Sequence, residues 1–164
     1  MSQSDQCDTR PSVQEVALII GSGPGISSSC ARLFAKSGMR VGIAARNPDK
    51  SVLEHLEKSH GVRRYACDAS DPTAVEQLFE NAVRDLGSPT LLVHNIDGRV
   101  PGIFRKGITE ADPNMALETI RNSAFSAFLV GQQAARAADK IFIKQNEVAK
   151  SAPNQDAMEA CSIF

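Results

Sequence analysis

Five consecutive aliphatic positions, Val16, Ala17, Leu18, Ile19 and Ile20, open the patterned part of the chain and stop at a glycine. A run that is apolar at every position predicts a strand covered on both faces, as in a parallel sheet. The period then changes. Ile26, Cys30, Leu33 and Phe34 follow helical spacing, and Gly38 stands where a helix leaves through a left-handed residue. RVGIAA at 40–45 predicts a second strand, after which Asn47 reads as an N-cap and Pro48 as the first position of a helix with Val52, Leu53 and Leu56 on its apolar face. Residues 62–67 predict a third strand. Asp71 and Pro72 then start a helix whose Val75, Leu78, Phe79, Ala82, Val83 and Leu86 form one stripe before Gly87. Residues 90–94 predict a fourth strand and 114–138 a long helix. Leu117, Ile120, Ala124 and Phe128 form one of its rows, with Phe125 and Leu129 beside it, so it is apolar on two faces.

Strands alternating with helices across short loops predict an α/β, Rossmann-like doubly wound parallel sheet of four to five strands over residues 15–138. A polar lead at 1–14 precedes it and an irregular tail at 139–164 follows, in which Ile141, Phe142 and Ile143 could add a short fifth strand. The length of 164 residues suits one domain. With 18 basic and 19 acidic side chains spread without blocks, the chain has no electrostatic footprint for nucleic acid or an anionic membrane. Its longest apolar runs are far shorter than a membrane span. The lead lacks the apolar core of a signal peptide, and the expected location is the cytoplasm. Cys7, Cys30, Cys67 and Cys161 lie too far apart for a CxxC pair and read as reduced thiols. His55, His60 and His94 fall on separate segments, so no metal site is expected.

The candidate chemistry sits between the first strand and the first helix. Gly21, Gly23 and Gly25 alternate with Ser22 and Pro24 before Ile26 and Ser27. Glycines there let the backbone turn tightly and let a pyrophosphate approach the N–H groups that open a helix. Strand, glycines and helix in this order are the context of the dinucleotide fingerprint. Ser27 holds the place of its last glycine, with a hydroxyl able to donate to a phosphate. At the end of the second strand, where a carboxylate would hold the adenine-side ribose, stand Ala45, Arg46 and Asn47. A guanidinium there suits a 2′-phosphate, so NADP is favoured over NAD; the plainer reading is a solvated loop arginine. Asp68, with Ala69 beside it, could accept from the adenine amino group, or serve the turn before the Asp71 cap, or do both.

Taken together, these landmarks resemble the N-terminal part of a short-chain dehydrogenase/reductase. The TGxxxGxG loop of that family is matched by Gly21 and Gly25 in IGSGPGIS, with Ile20 for its threonine and Ser27 for its last glycine. Its aspartate after strand three is matched by Asp68. Its NNAG after strand four is matched loosely by His94, Asn95, Ile96 and Asp97, with Gly98 one place late. Its relay asparagine in the long helix is matched by Asn122. The resemblance implies a dinucleotide cofactor held by these residues, Asn95 and Ile96 included. It also implies a catalytic serine and a YxxxK pair beyond the match. The single tyrosine, Tyr65, lies in the third strand and is followed four places on by Ala69. The expectation is therefore a shortened oxidoreductase that keeps cofactor contacts without turnover. The alternatives are a non-catalytic nucleotide- or partner-binding module, or a shortened product without function. A free sheet edge and the second apolar face of 114–138 would invite association with another copy. The final Cys161-Ser162-Ile163-Phe164 fits a prenylation box, but without a polybasic stretch it reads as tail.

Overall fold

The computed structural model describes residues 14–103 and 106–151, with side chains to 138. Its chain order is β1 (Val16–Ile20), α1 (Ile26–Lys36), β2 (Arg40–Ala45), α2 (Ser51–His60), β3 (Arg63–Ala66), α3 (Pro72–Leu86), β4 (Leu91–His94) and α4 (Pro113–Ile120). A π-helical turn, Arg121–Phe125, then leads into α5 (Ser126–Ser151). The four strands form one parallel sheet in the order β3-β2-β1-β4, so α/β doubly wound topology holds and the order reverses direction beside β1. Alternate β1 side chains feed opposite cores. Val16, Leu18 and Ile20 pack with Val75, Leu78, Phe79 and Val130 on the side of α3 and α5; Ala17 and Ile19 pack with Ala31, Leu53 and Leu56 on the side of α1 and α2. This two-sided burial is what a continuous aliphatic run requires.

α3 follows its sequence signals closely. Asp71 Oδ1 accepts from Thr73 N at 2.9 Å, Pro72 opens the helix, and the chain leaves at Gly87 with φ 99°. α1 presents only half of the face expected of it, since Cys30 and Phe34 pack against the core and the other two positions do not. Ile26 and Leu33 are 67% and 62% exposed, and the buried positions are Ser27, Ser28 and Ala31. Small residues let this helix lie close to the glycine loop, and the Ser27 and Ser28 hydroxyls donate to the carbonyls of Gly21 and Gly23.

The expected cap at Asn47 is also corrected. α2 starts at Ser51 with Lys50 as N-cap, and Asn47 Oδ1 instead accepts from Asp49 N at 2.9 Å, closing a turn. Arg64 supplies the reason: its Nη1 donates to Pro48 O at 2.9 Å and its Nη2 pairs with Glu57 Oε2 at 2.8 Å, which keeps the Pro48 carbonyl out of the helix ladder.

The long helix begins at Pro113, capped by Asp112 Oδ1 accepting from Asn114 N at 2.8 Å. It does not end near 138. Residues 139–151, assigned above to an irregular tail with a short strand at 141–143, continue α5 as helix. Between Gly131 and Pro153 the sequence has neither glycine nor proline and is rich in alanine, lysine and glutamine, which all favour helix. Of its two apolar faces, Leu129 and Val130 are buried, whereas Leu117, Ile120, Phe125 and Phe128 are exposed, the last two stacked at 6.2 Å between ring centroids. Among the described residues no helix is long and apolar enough to cross a membrane. The lead at 1–13 and the residues from 152, Cys161 included, lie outside the described residues.

Candidate functional site

The strand order reverses between β1 and β4, and open α/β sheets hold ligands at the carboxyl ends of the strands beside such a point. A cleft of about 500 Å³ lies there. Its floor is the glycine loop. Gly21 has φ 91°, and a Cβ on it would stand 2.3 Å from Asn95 O and 2.6 Å from Ile96 Cγ1, so the loop touches the exit of β4 directly. Gly21 N and Ser22 N donate to Ala44 O at 3.0 and 3.1 Å, which ties the same loop to β2. Ser22 is buried, with its hydroxyl 3.5 Å from Ile19 O. Gly23 and Gly25 behave differently: both line the cleft, and a Cβ on either would meet nothing within 4 Å. That open space lies beside the first turn of α1, whose leading N–H groups have no intrahelical acceptor and whose dipole favours an anion. No acidic residue occupies that turn. The cradle thus fits a diphosphate, and Ile26 lines its edge.

The Ser27 hydroxyl is not available to a phosphate. It donates its one proton to Gly21 O at 2.9 Å and accepts from Asn95 Nδ2 at 2.9 Å, while the residue is 2% exposed. Serine in place of the last glycine therefore fastens the loop to the residue after β4.

At the second strand's end Arg46 lines the cleft and Asn47 does not. Asp68 lines it too. Its Oδ1 accepts from Ser70 N at 3.0 Å and Ser70 Oγ at 2.8 Å. These bonds, the backbone one first, with Arg46 and Arg121 nearby, hold its carboxyl below the usual carboxylate range. The turn role expected of Asp68 is present. Ala69 is buried beside it. Two further lining residues, Lys50 and Cys67, went unnoticed in the sequence, and Asp97, matched there only as part of the NNAG-like stretch, lines the cleft as well. Lys50 was hidden by reading the helix start at Pro48, although a start at Ser51 brings it to this corner. Cys67 is a buried thiol that desolvation pushes up to about 11. Asp97 pairs with Arg99 through Oδ2 and Nη2 at 2.6 Å, and these hydrogen bonds bring its carboxyl down to about 2.

Asn122 reaches the cleft from the π-helical turn. That turn is fastened from two sides. Gly98 lies against it so closely that a Cβ would stand 2.7 Å from Ser123 N and 2.9 Å from Asn122 C. Ser126, fully buried, has its Oγ 2.8 Å from Asn122 O and 2.9 Å from His94 Nε2. Burial lowers the pKa of His94, which favours the neutral ring.

Tyr65 is the only tyrosine, and it faces the α3 core instead of the cleft. Its hydroxyl donates to Asp85 Oδ2 at 3.3 Å, and burial, aided by the Asp85 charge, pushes it up to about 12. A folded pKa above the ordinary 10.0 means that the neutral phenol is favoured by folding. Its contribution to stability is complete below pH 10 and is lost as pH rises towards 12. Ultraviolet titration of this single tyrosine should show phenolate absorbance only near the upper end of that window; ionisation at the ordinary value in folded protein would contradict the burial.

Comparison with known proteins agrees with this geometry. A family model described as enoyl-(acyl carrier protein) reductase matches residues 21–160. An uncharacterised oxidoreductase of Caenorhabditis elegans is 35% identical over 89 residues, which are 51% of this chain and 28% of that protein. A structure of an actinorhodin polyketide ketoreductase variant with NADPH superposes with a TM-score of 0.67 at 27% identity, covering 76% of this chain and 47% of that one. A short-chain type dehydrogenase/reductase from Mycobacterium marinum shares the fold, with a TM-score of 0.65 at 23% identity over 75% of this chain and 49% of that one. The chain spans less than half the length of these curated and structural relatives. A parallel sheet with the glycine loop at its reversal point, and a family match over most of the sequence, lead to one assignment: this chain belongs to the short-chain dehydrogenase/reductase family.

Proposed function

We propose that the cleft binds NADP(H), with the pyrophosphate on the glycine loop and the first turn of α1, the adenine near Asp68 and Ala69, and the 2′-phosphate at Arg46. Members of the family bind an NAD(P) dinucleotide. The observation that carries the finer reading is Arg46 lining the cleft where β2 ends, with no carboxylate between β2 and Asp49 to hold a free ribose diol. A guanidinium forks onto a phosphate and makes charge-assisted bonds that a neutral hydroxyl cannot equal. The structure of the relative that contains NADPH supports the same choice.

When bound, the nicotinamide supplies hydride chemistry. The residues of this chain hold and orient: the loop N–H groups take the diphosphate, Asn95 keeps the loop in place through Ser27, and Asn122 stands in the π turn beside the cleft. Among the described residues no tyrosine faces the cleft to serve a carbonyl substrate as proton donor, because Tyr65 lies in the core and is bonded to Asp85. The reading is therefore cofactor binding without turnover by this chain alone. Cysteines read as reduced thiols support a cytoplasmic location.

Calorimetric titration tests the reading. NADPH should bind about tenfold or more tightly than NADH, and Arg46→Asp should reverse the order, since each charge-assisted bond contributes roughly 1.5–3 kcal/mol. Equal affinity for both in the wild type would remove the NADP assignment, and binding of neither would remove the cleft.

A further inference from the structure

We propose that Asp97 receives the nicotinamide half of the dinucleotide, its carboxylate accepting a hydrogen bond from a hydroxyl of the ribose on that side; this inference rests on the NADP(H) reading above. The sheet order decides which end of the cleft that half must occupy. From β3 across to β4, at about 4.8 Å per strand, the strand exits carry in turn Asp68, Arg46, the glycine loop and the stretch from Asn95 to Asp97. With the adenine at Asp68 and the diphosphate on the loop that follows β1, the rest of the ligand runs past β1 to the exit of β4. Asp97 lines the cleft there, two residues beyond the Asn95 carbonyl that lies against Gly21.

A carboxylate beside an anion cradle opposes binding unless its charge is balanced and its oxygens meet donors. Arg99 supplies the balance. Its Nε donates to Asp97 Oδ1 at 2.7 Å, its Nη2 to Oδ2 at 2.6 Å, and its backbone N to Oδ1 at 3.2 Å. A carboxylate has about four acceptor sites, so these three bonds leave one, on Oδ2. They also keep the group ionised, with its pKa down to about 2, so that near neutral pH it can only accept. A diphosphate, itself an acceptor, has no proton to offer that site, whereas a ribose hydroxyl has one. The fork from Arg99 holds the carboxylate in one orientation before any ligand arrives, which lowers the cost of the contact. Asp68, the other acidic residue lining the cleft, stands at the adenine end and spends Oδ1 on Ser70.

The test uses the whole chain and three ligands, NADPH, NADP+ and 2′,5′-ADP, the last of which lacks the nicotinamide half. Each is titrated against wild type, Asp97→Ala and Asp97→Asn. The readout is the ratio of NADPH to 2′,5′-ADP affinity, because any change in how Arg99 meets phosphates acts on both ligands. Asp97→Ala should lower this ratio by about three- to tenfold, as expected for one exposed hydrogen bond to a charged group. Asp97→Asn, which keeps an amide oxygen as acceptor, should lower it less. NADP+ should weaken by the same factor as NADPH, since the two share the ribose. Asp97 is exposed, and urea unfolding checks that each variant is folded. Wild type that binds NADPH together with an unchanged ratio in Asp97→Ala, whether neither ligand weakens or both weaken alike, overturns the role of Asp97 and leaves the cleft standing. A loss confined to NADP+ also overturns it, assigning the carboxylate to the charge of the oxidised ring. Wild type that binds no NADPH overturns the underlying reading and this inference with it.

Discussion

Gly21→Val should abolish dinucleotide binding and destabilise the protein by about 3–5 kcal/mol. Two costs combine. A branched side chain at φ 91° is strained by about 1–3 kcal/mol, and forcing bulk into a packed contact costs about as much again. The contact is severe because the new Cβ would sit 2.3 Å from a backbone oxygen, that of Asn95, which cannot rotate away as a side-chain tip could. Moving Asn95 breaks its bond to Ser27 and so releases the loop at its other end. Urea unfolding and NADPH titration report the two effects separately. A variant with the wild-type unfolding midpoint and intact binding would show that the loop does not approach β4 as described.

Gly98→Val should act on the opposite wall of the cleft. Here the new Cβ would meet Ser123 Cβ and N at 2.7 Å, and the backbone of the π turn would have to give way, at about 2–3 kcal/mol. The displacement carries Asn122 outwards and separates His94 from Ser126, now 2.9 Å apart. Release from burial lets the His94 pKa rise towards its ordinary 6.5, which an NMR titration of the imidazole resonances follows directly. The glycine loop itself is untouched, so NADPH affinity should fall less than in Gly21→Val. Unchanged imidazole titration with unchanged stability would mean that Gly98 does not support the π turn.

Much of the scaffold was legible because its signals are local. β1 and β2 begin and end where their aliphatic runs do, and α3 begins at Asp71-Pro72 and ends before Gly87, since cap, proline and glycine act within a few residues. Readings failed where a distant partner decides. Asn47 has the chemistry of an N-cap, but Arg64 from β3 takes the Pro48 carbonyl and delays α2 to Ser51. Ile26 and Leu33 have the spacing of a core stripe, but the Ser27 and Ser28 hydroxyls find carbonyls in the glycine loop and turn the helix onto its small side. The π turn has no local signature either. It is fixed by Gly98 and His94, both outside the helix. The site followed the same rule: twelve of its thirteen expected residues line the cleft, while Asn47 does not and Lys50 does, both consequences of the displaced helix start.

Where the family pattern has glycine, Ser27 links the Gly21 carbonyl to the Asn95 amide, and this linkage bears on how fast a ligand can be captured. A floor already fastened at both ends during folding has little motion left to surrender on contact, so the entropic penalty of arrival is small. Complex formation should then be governed by encounter and orientation, its observed rate climbing in proportion to ligand concentration without the plateau that a slow loop closure would impose.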